Sequence, residues 1–514
     1  MSATRRRLLI ASTTLAVCVG ACKDGGTTLI DRGSCDVLIE CASTQSPEVR
    51  DEYEAVYGPQ GTCWQNANPM AWAACRDACK QALDVINLAG MVTGETCGTC
   101  STHADCSQFG SGALCDAGIC SGGDGGVADE GETSADGGDG DGGDGDGDVP
   151  VEAVSILLVV DNSGSMGRNQ EALIAGISNL VTPLDIAGIP WRLGVTTTDT
   201  GNQWCSSTFP ENGQLVFQSC ATRLDDFLFG NDVDVQSICT NACSTNSVTT
   251  LPTPTLSDPN AKSRPWIESS GGQTNLADDL DLKEALRCIV PQGVNGCGFE
   301  SPLEAAALTV ARAASSSENE FGFIEDGRLL AIVFVSDEAD CSNNPSWSSI
   351  FAADGRKTFW SDPTAPYPSS AVCWNAGVEC FGSPSGYDSC DPVDKAINGT
   401  FTSDPDAAVL YPVEHFVEAY SKTGPVLTFG ILGVGSNGEP HYADATNTDP
   451  AFQDSFGIGP GCTAPGDIAA VPPVRMRSVL EQLGPDDAQA AFSICASDFG
   501  SALNQIAGAI VAEF

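Results

Sequence analysis

Val154-Ser155-Ile156-Leu157-Leu158-Val159-Val160-Asp161-Asn162-Ser163-Gly164-Ser165-Met166 is the stretch on which the fold turns. Its first seven residues are apolar but for one serine. So continuous a run marks a strand buried on both faces, because a half-solvated strand alternates polar and apolar positions. The run ends abruptly in a polar loop, and 169–181 then shows the periodicity of an amphipathic helix. Strand, polar turn and helix in that order are the opening unit of an α/β sheet.

The same alternation continues downstream. Residues 191–198 read as a second strand, with 213–218 as its hairpin partner, and the Ala-rich segment 301–314 reads as a helix. An all-apolar strand follows at 329–336, a helix at 411–422, a strand at 426–434, and closing helices at 475–483 and 499–512. The predicted fold is α/β, a doubly wound, mostly parallel sheet of Rossmann-like type with helices on both faces. In such sheets ligands bind beyond the carboxyl ends of the strands, where the strand order reverses. The loop at 161–165 leaves the first buried strand at that place, and Asp337 ends Ala331-Ile332-Val333-Phe334-Val335-Ser336-Asp337 at the end of another. Glu338 and Asp340 extend the acidic cluster.

Asp161-Asn162-Ser163-Gly164-Ser165 has the form DxSxS and resembles the metal-ion-dependent adhesion site of von Willebrand factor A domains. The resemblance covers about 155–514 apart from insertions. It implies a divalent cation (Mg2+, Ca2+ or Mn2+), with Ser163 and Ser165 as direct hydroxyl ligands and Asp161 acting through water. It also implies Asp337 as the acid from the fourth strand of the family fold. Hard cations of this class prefer an octahedral shell of oxygen donors, which these residue types supply. The family's remaining ligand is a threonine before the third helix. Here Gly296-Cys297-Gly298-Phe299-Glu300-Ser301-Pro302-Leu303 occupies that place, which puts Glu300 at the threonine position with Ser301 beside it. Gly271-Gly272-Gln273-Thr274 is a second candidate, less well spaced from the next strand. The bland alternative is a capped strand-to-helix turn without an ion, since Ser and Asp cap helices well.

Bulk properties set the surroundings. The chain has 514 residues, a formal net charge of -45 and a pI of about 4.1. That charge argues against nucleic acid and anionic membrane surfaces as partners, suits cations, and keeps an exported protein soluble. Of 24 cysteines, two fall in the first 22 residues, and only three histidines occur (His103, His415, His441). Many cysteines with few histidines point to disulfides and an oxidising compartment. Arg5-Arg6-Arg7 precedes a short apolar run at 8–19, as in a signal peptide. Val19-Gly20-Ala21-Cys22 resembles a bacterial lipobox, which implies cleavage after 1–21 and lipidation of Cys22.

The expected organisation is therefore a signal peptide (1–21), a tether (22–34), a disulfide-rich module with ten cysteines (35–120), a Gly/Asp-rich flexible linker (121–152) and the α/β domain with cysteine-bearing insertions (153–514). Within the module, 69–89 reads as a helix, and Cys97-Gly98-Thr99-Cys100 reads as structural, because no βαβ pattern surrounds it. Residues 121–149 hold ten acids and no base, a composition that stays extended. Asp144-Gly145-Asp146-Gly147-Asp148 lacks the glycine and glutamate that complete an EF-hand loop. No GxSxG, HExxH or P-loop occurs, so an enzyme is not expected. The expected function is that of a lipid-anchored protein of the bacterial cell envelope, at the outer membrane or cell surface. It would bind a protein or glycan through the ion and its surrounding loops. The alternative is an envelope assembly factor in which the ion only staples loops.

Overall fold

A computed structural model of the chain describes residues 151–514, apart from 206, 207, 231, 232, 278, 279 and 467, together with scattered residues between 35 and 121. The chain divides into two compact units, and the second carries everything from residue 122 onward. In the first, Cys35 is joined to Cys79, and Leu114–Asp116 pairs antiparallel with Ile119–Ser121. The signal sequence, Cys22, the tether, the linker at 122–150 and the helix at 69–89 (apart from Cys79, which is helical) lie outside the described residues.

The second unit is built on a seven-stranded mixed sheet. Its strands are β1 (Ala153–Val160), β2 (Trp191–Thr197), β3 (Ile267–Ser270), β4 (Gln273–Thr274), β5 (Arg328–Val335), β6 (Val426–Leu432) and β7 (Ala491–Ser493). Their order is β7-β6-β5-β1-β2-β3-β4. Five strands, β7 to β2, run parallel, and β3 and β4 form an antiparallel edge. β1 and β5 occupy the centre, as their unbroken apolar sequences require.

Alternate residues of these strands feed two cores. Val154, Ile156, Leu158 and Val160 pack on one face with α1 (Gly167–Gly176), α2 (Ser178–Ile186), α4 (Leu282–Ile289) and α10 (Gly500–Val511). Leu157 and Val159 pack on the other with α5 (Pro302–Ala313), α7 (Val413–Ser421) and α9 (Val474–Leu483). Helices therefore cover both faces, which is why β1 and β5 carry no polar face. Three short helices, α3 (Gln236–Ala242), α6 (Ala371–Gly377) and α8 (Pro450–Phe456), belong to insertions with small cores of their own. All twelve cysteines of residues 151–514 are paired: 205–297, 220–239, 243–288, 341–373, 380–390 and 462–495. Pairing of Cys462 with Cys495 across α9 agrees with their flanking positions in the sequence.

Two expectations need correction. Residues 213–218 are not the hairpin partner of β2. They touch it through Val216 N, which donates to Val195 O at 2.7 Å, while the antiparallel neighbour is β3. The helix expected at 169–181 starts earlier, breaks at Ile177 and resumes to Ile186.

Candidate metal centre

Register places the loops. Val160 of β1 pairs with Val335 of β5 on one side and with Thr197 of β2 on the other. Asp161, Ser336 and Thr198 therefore leave the sheet side by side at its carboxyl edge. β1 is also where strand order reverses, since the chain runs from β1 to β2 on one side and returns to β5 on the other. The chain after β1 enters α1 on one face, and the chain after β5 reaches α7 on the opposite face. A crevice at such a point is where open α/β sheets bind ligands.

Into this crevice the structure brings the DxSxS loop and Asp337. The Asp161 carboxylate is fully buried and fixed at both oxygens, accepting from Ser163 N at 2.8 Å and from Ser336 Oγ at 2.6 Å. Ahead of it Ser163 Oγ and Ser165 Oγ stand 3.1 Å apart, and Ser165 Oγ donates to Asp337 Oδ1 at 3.1 Å. Two hydroxyls and a carboxylate from two adjacent strands thus form one contiguous row of oxygens.

The third arm comes from residues 296–301. Gly296 N donates to Asn162 O at 2.8 Å, Cys297 N to Asp199 Oδ2 at 3.1 Å, and Ser301 N to Thr198 O at 3.0 Å. Cys341 N donates to Glu300 O at 2.7 Å. The arm is thereby tied to the loops after β1, β2 and β5. Glu300 is fully buried; its Oε2 accepts from Thr198 Oγ1, and its Oε1 has no hydrogen-bond partner. Ser301, its neighbour, is turned away and donates to Cys341 O at 3.2 Å. Thr274 stands in the β3–β4 hairpin, which pairs with β2 at its amino end, next to Trp191. It is at the opposite edge of the sheet from the loop at 161–165.

Asp340 departs from the expected acidic cluster. It is buried against Arg475, whose Nε lies 2.9 Å from its Oδ2, and its Oδ1 accepts from Ser342 Oγ and from Leu303 N. It caps the start of α5 and does not join the row of oxygens. Glu338 does belong to the cluster and is partly exposed.

Electrostatics set this cluster apart. Burial, with Asp161 beside it, pushes Asp337 up to about 8, and burial also raises Asp161. Glu300 is raised well above its usual range by burial and by the charges of Asp161 and Glu338, and Glu338 is raised well above by burial, Asp161 and Asp337. Among the described residues, no cationic side chain is one of the main influences on any of the four. Desolvated carboxylates without a counter-charge hold protons or bind a cation.

No protein-family model matches the chain, and no curated protein matches it. The site is therefore judged on its own donor set. Ser163 Oγ, Ser165 Oγ, Asp337 Oδ1 and the unpartnered Glu300 Oε1 are oxygen donors of the kind hard divalent cations take, with Asp161 behind them. Among the described residues, the sets of Cys, His, Asp and Glu with ligand atoms within 4.8 Å of one another centre on Cys220, Cys239, Cys243 and Cys288. Those sulfurs are committed to disulfides and are not thiolates. The acids at 161, 300 and 337 do not converge that closely, so hydroxyls and water would complete a shell here. Thr198 and Ser336 were not singled out from the sequence. Both are hydroxyl residues ending a buried strand next to β1, a signal that needs the strand order to be read.

Proposed function

We propose that residues 153–514 form a von Willebrand factor A-like domain that holds a divalent cation (Mg2+, Ca2+ or Mn2+). Ser163, Ser165, Asp337 and Glu300 would hold the ion, with Asp161 acting through water. The observation that carries this reading is the row Ser163 Oγ, Ser165 Oγ, Asp337 Oδ1, gathered at the reversal of strand order. A cap without an ion would account for the serines, but not for the Asp337 carboxylate beside Ser165 or for the buried, unpartnered Glu300 Oε1.

The protein is read as a lipid-anchored component of the bacterial envelope that binds a protein or glycan at the face this ion organises. Support comes from the rim. Phe229 is 48 % exposed, and its ring would lie 3.0 Å from a Cβ on Gly164, so it stands directly over the DxSxS loop. Trp204 is 41 % exposed, and its Nε1 donates to Phe351 O at 2.6 Å, which fixes the indole. Exposed aromatics on loops of this kind suit sugar stacking or a protein contact. Binding is proposed over catalysis on the strength of this rim; of the described histidines, His415 stacks on Tyr411 in the α7 region.

A second reading, an assembly factor whose ion only staples loops, draws on the disulfides 205–297 and 341–373 and on Glu300. Immobilised full chain, probed with glycan panels and envelope fractions in Mg2+, Ca2+ or chelator, separates the two. Ion-dependent binding lost in Asp161→Ala, with the fold retained, supports the binding protein. Binding that survives both chelation and the substitution contradicts a role for the ion in it. An ion that raises the melting temperature without any ligand being retained favours the second reading.

A further inference from the structure

Glu300 is built into the centre more rigidly than a residue that merely fills space. Its backbone is held between Thr198 and Cys341, its segment is tied to the loop after β2 by Cys205–Cys297, and its side chain is sealed from solvent. Thr198 fixes one carboxylate oxygen and leaves the other without a partner. Buried polar atoms are almost always satisfied, so an orphaned carboxylate oxygen beside Asp161 and Glu338 is an atom waiting for a positive partner.

We propose that Glu300 Oε1 is an internal ligand of the cation, which closes the centre to carboxylates from outside. This rests on the reading of the centre as a divalent-cation site and adds to it the chemistry that the site refuses. The charges give the reason. Held ionised by the ion, Glu300 and Asp337 match its two positive charges, and Asp161 behind them leaves no net positive charge to draw in another carboxylate. An acidic residue of a partner would meet repulsion as well as a filled coordination position. The partner therefore meets this face through neutral or basic groups on the loops and aromatic rim, and the ion stays with the chain whether or not a partner is bound.

The test uses the full chain, Mn2+ as the probe ion and acetate as the probe carboxylate. Calorimetry gives the affinity, and water-proton relaxation reports the exchangeable waters left on the ion. Wild type is expected to bind Mn2+ with a low relaxation enhancement that acetate does not change. Glu300→Gln, of the same shape but neutral, is expected to bind roughly tenfold more weakly or worse. Glu300→Thr is expected to bind weakly with a higher enhancement, which acetate then lowers by displacing water. Near-UV circular dichroism of the metal-free variants checks folding, and Glu300→Gln decides alone if Glu300→Thr does not fold. Affinity within about twofold of wild type in Glu300→Gln, with the same enhancement, overturns the internal ligand. So does a wild-type enhancement that acetate lowers. Absence of Mn2+ binding by wild type is a different result, which overturns the cation reading itself.

Discussion

Gly296 shows how closely single residues are fitted at this centre. A Cβ at that position would collide with the Asn162 side chain, because the backbone of the third arm lies directly on the DxSxS loop. Gly296→Ala is expected to cost about 1–3 kcal/mol in urea unfolding, the usual range for overpacking, and to weaken cation binding by displacing the arm. Glu304 offers a prediction with a pH signature. Burial and the charge of Asp340 push it up to about 7, and its Oε2 is buried without a partner. A carboxyl group raised in the native state adds stability below its ordinary range and loses that contribution as pH rises through about 7. Glu304→Gln should therefore raise the melting temperature at pH 8 and leave it nearly unchanged at pH 5. An equal rise at both values would show that charge is not the cause.

At the scale of elements, the loops of the centre are held by covalent ties as much as by packing. Cys205–Cys297 joins the segment after β2 to the arm that carries Glu300, with a sequence separation of 92. Replacing both cysteines by serine is expected to cost roughly 2–5 kcal/mol of stability, and to lower cation affinity more than the same change at 380–390 does. The 380–390 pair closes a local hairpin across a separation of only 10. Parallel chemical denaturation and Mn2+ titration of the two double mutants would show whether the tie serves the site.

The central strands and the DxSxS loop were legible in the sequence, because a strand buried on both faces leaves a short apolar run rich in Val and Ile that stops at a polar turn. Edge strands leave no such trace. β3 makes three paired contacts with β2 and follows two disulfide-tied insertions, so 213–218, nearer in sequence, took its place in the reading. Acid spacing was equally insufficient for Asp340. The turn after β5 sends Asp337 toward Ser165 and Asp340 toward Arg475, and only backbone geometry separates the two. The place of Glu300 before the helix at 301–314 follows from local spacing. Its hydrogen bond from Thr198 depends on the adjacency of β2 and the arm, which no local pattern carries.

For the whole molecule, a formal net charge of -45 concentrates its clearest consequence where carboxylates are buried together. Burial and the neighbouring Asp161 push Asp337 up to about 8, from an ordinary value of 3.8. Its protonated form favours the native state below pH 3.8, and that contribution is lost as pH rises through about 8. A cation needs the ionised form, so metal binding and proton release are coupled over the same window. The metal-free protein should lose stability between pH 5 and pH 8, and the gain in melting temperature on adding Ca2+ should grow across that interval. A gain that shrinks with rising pH would place the ion somewhere other than these carboxylates.

The most direct measurement is calorimetric titration of the full chain with Mn2+ at pH 7.5, alongside Asp161→Ala and Ser165→Ala. Saturable binding by wild type, lost in Asp161→Ala and weakened in Ser165→Ala with the circular dichroism of both unchanged, is the predicted result. Wild-type binding that either substitution leaves intact, or no binding at all, would contradict a metal centre at the DxSxS loop.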